Sequence, residues 1–151
     1  MKTGITIQNR KARYEYFLLE TFQAGIVLTG AEIKSIRLGG AELTDSFIFI
    51  DRNFEVWTEG LNIRKPKGSA GLDFNQKRQK KLLLRKKEIL KLKQELSVKG
   101  NTIIPVSMYV NERGYAKMQI AIAKGKKDYD KRRDIKEKDL KRQERKERKH
   151  I

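Results

Sequence analysis

Beyond Ala123 the chain stops offering residues that could be buried. From Lys124 to Ile151 the only aliphatic side chains before the last residue are Ile135 and Leu140, set among lysine, arginine and acidic residues. A segment of that kind has no core of its own. Any fold must therefore come from residues 1–123, with 124–151 as a basic tail hinged at Gly125 to Arg133. The i,i+4 pairs Asp134–Lys138, Glu137–Lys141 and Glu144–Arg148 favour a helix in the tail, each by about 0.2–0.5 kcal/mol. With no apolar face the tail is expected not to dock on the body. It reads as disordered when free and helical on a polyanion, reaching about 40 Å if fully helical.

Charge names the class of partner. Of 151 residues 36 are Lys or Arg and 19 are Asp or Glu, a net charge of +17. Polyanions are the default ligands of such a chain, nucleic acid first. A membrane surface is a weaker reading, because no basic helix carries a strong apolar face. No window approaches the length of a membrane span, Met1 to Arg10 lacks an apolar signal core, and a cytoplasmic protein is expected. There is no Cys, and His150 is the only His, so thiolate and imidazole metal clusters are excluded. No serine-nucleophile, P-loop or dinucleotide motif occurs. Asp128, Asp130, Asp134 and Asp139 are spaced like a calcium loop, but Arg133 stands at its glycine turn and Arg132 at a ligand position. Neither a catalytic residue, a metal nor a cofactor is expected.

The body reads as mainly β with peripheral helices. Met1 to Gln8 is expected to be loose, and Asn9 to Arg13 forms a basic turn. Tyr14 to Phe22 reads as a strand broken by Ala24-Gly25, with a second strand beginning at Ile26. Thr29-Gly30-Ala31-Glu32 has the form of a capping box opening a short helix that Gly39-Gly40 stops. Lys34 and Arg37 lie on that helix, on a solvated face or against RNA. Leu43 to Asp51 and Phe54 to Leu61 read as strands joined at Asp51-Arg52-Asn53. Apolar residues on both faces of the first suit a closed or well-covered barrel. Trp57 suits the core or a rim, or else a base-stacking surface. Arg64 to Arg78 reads as a long loop. Lys77 to Lys93 reads as a helix with a basic face, its stripe being Leu82, Ile89, Leu92 and Leu96, with Leu83 and Leu84 widening it and expected to close the barrel, and Gly100 ending it. Thr102 to Asn111 and Tyr115 to Ala123 form a hairpin around Gly114, with Pro105 at a strand start or an edge.

Four stretches together resemble the SmpB family. They are Asn9 to Phe17, Ala24 to Ser35, Lys81 to Leu84, and Ala123 to Lys127 running into Asp130 to Arg132. The resemblance implies a closed, six-stranded antiparallel OB-like barrel. It also implies a monomer that binds the tRNA-like domain of transfer-messenger RNA one to one and takes part in trans-translation on stalled ribosomes. Alanyl-tRNA synthetase and elongation factor Tu would be indirect partners. By matching positions, Asn9, Arg10, Gln23 and Leu83 fall on the RNA-binding face, and Lys11, Arg13, Lys34, Arg37 and Lys81 are its basic candidates. Gly125, Lys126, Lys127, Tyr129, Asp130, Lys131 and Arg132 fall in the tail that probes the decoding centre and the empty mRNA channel. Many members carry Glu where this chain has Gln23, whose amide both donates and accepts. A structural ribosomal protein with a basic extension is the alternative reading, and a nuclease the third.

Overall fold

The computed structural model describes residues 2–66, 74–127, 132 and 135–143. In chain order its elements are β1 (Lys2–Gln8), α1 (Ala12–Glu15), β2 (Tyr16–Ile26), α2 (Gly30–Arg37), β3 (Ala41–Glu42), β4 (Phe47–Ile50), β5 (Val56–Glu59), β6 (Asn62–Ile63), β7 (Lys80–Leu83), α3 (Lys86–Leu96), β8 (Asn101–Asn111) and β9 (Ala116–Gly125). All strand pairings are antiparallel. The order β8-β4-β5-β7-β2-β9 returns to β8, so six strands form a ring; β1 adds to β8 from outside it, and β3 and β6 make a separate pair. The protein is mainly β with a few helices.

The hairpin of β8 and β9 is built as its alternation predicts. Val106, Met108, Val110, Met118, Ile120 and Ile122 are buried. Gly114 turns with φ 83°, and Asn111 Oδ1 accepts from the Arg113 and Tyr115 amides at 3.0 Å each. The capping box is also present: the Glu32 amide donates to Thr29 Oγ1 at 3.2 Å, and the Thr29 amide to Glu32 Oε1 at 2.8 Å. Gly39 ends α2 with φ 79°.

Elsewhere the structure corrects the sequence expectations. The N-terminus is not loose, because β1 pairs with the second half of β8. Ala24-Gly25 does not break β2, since a strand flanked by β7 and β9 has its backbone bonds supplied from both sides. No separate strand starts at Ile26. The strands expected over 43–51 and 54–61 shorten to β4 and β5. Pro105 lies inside β8 rather than at its start, where the register with β9 shifts, and a bulge tolerates its missing N–H. Residues 77–93 are not one helix. Leu82 belongs to β7, which closes the ring between β5 and β2. The helix begins at Lys86 and docks through Leu92, with Ile89 and Leu96 beside it. It ends at Leu96, four residues short of Gly100.

Lys80, at the start of β7, is fully buried. Its ammonium donates to the Leu61 carbonyl at 2.8 Å and the Gln76 carbonyl at 3.2 Å, tying both ends of the 64–78 connection to the ring. The same connection is held by Arg78, whose guanidinium meets the buried Glu32 carboxylate at 2.6 Å. Residues 67–73 of the expected loop lie outside the described residues. Burial pushes the Lys80 pKa down from 10.5 to about 8, with the Glu32 carboxylate opposing. The unfolded chain therefore binds more protons than the folded one between those values, and Lys80 makes stability rise with pH across that window. Urea unfolding at pH 7.5 and pH 9.5 measures this. The gain on going to pH 9.5 should be about 2 kcal/mol larger in the unmodified chain than in Lys80→Met. Parallel pH dependences would contradict it.

Candidate nucleic-acid interface

Asn9, at the end of β1, sets the basic turn beside the register shift at Pro105. Its amide donates to the Val106 carbonyl, continuing the β1–β8 pairing, and its Nδ2 to the Pro105 carbonyl, both at 2.8 Å. The Asn9 carbonyl in turn accepts from the Ala12 amide at 3.2 Å, starting α1. Asn9 is thus buried as a fastener, while Arg10, Lys11 and Arg13 around it are exposed.

The outward face of β2 mixes apolar and polar groups. Phe17, Leu19, Thr21 and Gln23 are exposed. Gln23 Nε2 donates to the Tyr109 hydroxyl at 2.5 Å. Across the sheet Gln23 is in register with Gln119, and Gln119 with Ser107. Ser107 Oγ donates to Gln119 Oε1 at 3.4 Å. These residues, with Thr21 and Phe22, line a shallow groove of about 360 Å³. Two residues along β2, Leu83 lies over Gly25: a Cβ at Gly25 would sit 3.4 Å from Leu83 Cβ. Gly25 lets Leu83 pack against the backbone while its side chain stays 53% exposed. Lys81 is half-buried and pairs with Glu55 at 3.4 Å.

Asn9 thus sits at the β8 bulge, Gln23 in the groove beside Tyr109, and Leu83 over Gly25 of β2. Arg10 and Lys34 lie in neighbouring clefts. A cleft of about 430 Å³ contains Arg10, and a second of about 300 Å³ contains Lys34 and Lys65; Gly39 and Arg64 line both. Arg37 lies apart, its guanidinium at the Gly114 turn. Sequence reading missed Tyr109, Gln119 and Arg64. Tyr109 carries a signal, being out of phase with the buried Met108 and Val110. Gln119 is found only through cross-strand register.

At the tail, β9 runs through Gly125, two residues past the division read at Ala123, and Gly125 pairs with Tyr16. Lys126 follows immediately and is fastened to the body. Its amide donates to the Glu15 carbonyl at 2.8 Å, its ammonium donates to the Arg13 carbonyl at 2.9 Å and lies 4.9 Å from the centre of the Phe17 ring. Lys127 is exposed. Tyr129, Asp130 and Lys131 lie outside the described residues. Arg132 is helical and exposed, as are 135–143. Against expectation this helical stretch does meet the body: Ile135, Glu137, Lys138 and Lys141 share a cleft of about 250 Å³ with Arg13, Tyr14 and Lys126. One apolar residue and the alkyl stems of lysines suffice for such a contact.

The family model described as SmpB protein matches residues 6–150. The chain belongs to the SmpB family. It is 48% identical over 145 residues to an SsrA-binding protein of Coprothermobacter proteolyticus, covering 95% of each chain. It is 45% identical over 143 residues to the SsrA-binding protein of Parabacteroides distasonis, covering 95% of this chain and 93% of that one. Among solved structures it is similar to a chain from "tmRNA-SmpB: a journey to the center of the bacterial ribosome", with a TM-score of 0.69 and 40% identity over 82% of this chain and 85% of that one.

The fastening of Lys126 has a measurable consequence. Replacing it with alanine removes the ammonium contacts and keeps the backbone bond to Glu15. Backbone 15N relaxation should then show Lys127 and its successors more mobile on the nanosecond scale. The free energy of unfolding should change by less than about 1 kcal/mol, as for other exposed contacts. Unchanged relaxation would show that the side chain does not direct the tail.

Proposed function

We propose that this chain binds the tRNA-like domain of transfer-messenger RNA and takes it to stalled ribosomes for trans-translation. The observation that carries the reading is the family: over 95% of its length the chain is similar to SsrA-binding proteins. In support, Gln23 meets Tyr109 on the exposed face of β2, and two residues along the same strand Leu83 lies exposed over Gly25. In this reading the ring acts as a closed OB-like barrel, a rigid platform presenting aromatic, aliphatic and basic groups. Such a surface suits RNA recognised by shape, since the deep groove of A-form RNA hides its base edges. Gln23 and Tyr109 offer hydrogen bonds to sugar and phosphate, Leu83 and Phe17 offer apolar contact, and Arg10 and Lys11 neutralise phosphates.

The tail carries the second half of the function. Residues from Lys127 onward supply charge and length without sequence specificity, which suits a probe of an empty mRNA channel. Tyr129 would stack on a ribosomal base near the decoding centre, with Asp130, Lys131 and Arg132 beyond it. Lys126 acts at the root, aiming the segment. The chain works as a binding factor rather than an enzyme, one copy per RNA, in the cytoplasm where ribosomes are. Alanyl-tRNA synthetase and elongation factor Tu act on the RNA it holds.

Deleting Lys131 to Ile151 separates the two halves. The truncated chain should bind the tRNA-like RNA within about threefold of the full chain at physiological salt, with a shallower dependence on salt. Tagging of peptides on stalled ribosomes should be lost. Loss of RNA binding on truncation would refute the division of labour.

A further inference from the structure

The turn between β4 and β5 holds an aromatic residue in a conformation its backbone disfavours. Phe54 has φ 59° and is the only non-glycine residue with positive φ among the described ones. A bulky side chain is strained there and persists only where its surroundings over-determine it. They do: Asp51 Oδ1 accepts from the Asn53 and Glu55 amides and Oδ2 from the Trp57 indole, each at 2.9 Å. The result is a phenyl ring left 45% exposed.

The ring is part of a cleft of about 500 Å³ that it shares with Asn53, Leu84, Lys86, Ile89 and Leu90. Leu90 is likewise 44% exposed. Lys93 holds its ammonium 3.8 Å from the centre of the Phe54 ring, and Lys86 and Lys87 open α3. The nearby acids are engaged elsewhere: Glu88 accepts from the Arg85 amide at 3.0 Å, and Glu55 pairs with Lys81. An apolar, aromatic-walled cleft rimmed by lysines therefore lies at the end of β7, with Leu84 in its lining.

We propose that this cleft takes an unpaired nucleobase of an RNA, stacked on Phe54, with Lys86 and Lys93 at the flanking phosphates. Aromatic rings among cations are what single-stranded RNA binders use. A second copy of this chain is disfavoured, because it would bring a like-charged α3 against this one. The inference shares with the preceding section the view that the partner is RNA. It does not depend on which RNA.

The test is fluorescence anisotropy of the full chain with a labelled ten-nucleotide oligouridine, and with heparin as a polyanion without bases. Phe54→Gly removes the ring and relieves the backbone, so the turn survives. It should bind the oligouridine on the order of tenfold more weakly and heparin as well as before. Phe54→Trp should restore the affinity. A 4-thiouridine version of the oligonucleotide should crosslink to the peptides containing Phe54 or Leu90. Equal oligouridine binding by Phe54→Gly, an equal loss for heparin, or crosslinks only elsewhere would overturn the proposal. So would a dimer in sedimentation that Phe54→Gly converts to monomer. Leu83→Glu, read with the tRNA-like RNA, tests the neighbouring face, so the two readings fail separately.

Discussion

Strand β7 pairs with β5 on one side and β2 on the other, and both edges of the ring depend on it. It is four residues long. Two side chains fix it. Leu82 enters the core, and Lys80 crosses into the interior to meet the Leu61 and Gln76 carbonyls. Alternation then sends Leu83 outward over Gly25. The strand that closes the fold is therefore the one that presents a residue of the candidate RNA surface. The residue after it, Leu84, walls the cleft at Phe54.

The basic turn and the tail root follow a similar logic at α1. Asn9 holds the end of β1 on the Val106 and Pro105 carbonyls, and its own carbonyl accepts the Ala12 amide that starts α1. The carbonyls of α1, at Arg13 and Glu15, then receive Lys126. The anchoring of α1 by Asn9 thus helps set where the exposed arginines stand and where the tail leaves the ring. Electrostatics alone would leave the direction of so charged a segment undetermined. The hydrogen bonds at Lys126 give it an origin.

Local patterns were legible in the sequence where one segment decides its own structure. The capping box of Thr29 and Glu32, the glycine stop at Gly39 and the β8–β9 hairpin are of that kind. What required the tertiary structure was misread. Leu82, Ile89, Leu92 and Leu96 keep helical spacing across a strand and a helix, because a short strand followed by an N-cap at Arg85 happens to preserve the phase. β1 reads as loose because its strand character comes from β8. Gly25 reads as a breaker because its use, admitting Leu83, lies on another strand. For the candidate site, Arg10, Gln23 and Leu83 came from resemblance to a family. Tyr109, Gln119 and Arg64 are defined by cross-strand register and by a cleft that joins distant segments. Phe54 reads as the first residue of a strand until its φ and its cleft are seen.

The central claim is that the ring holds the RNA and the tail does not. Hydrogen–deuterium exchange of the full chain, with and without the tRNA-like domain of transfer-messenger RNA, tests it directly. The account predicts slowed exchange at residues 9–13, in β2 around Gln23 and in β7 around Leu83, with exchange beyond Lys127 unchanged. Protection confined to residues beyond Lys127, with the ring unaffected, would contradict it.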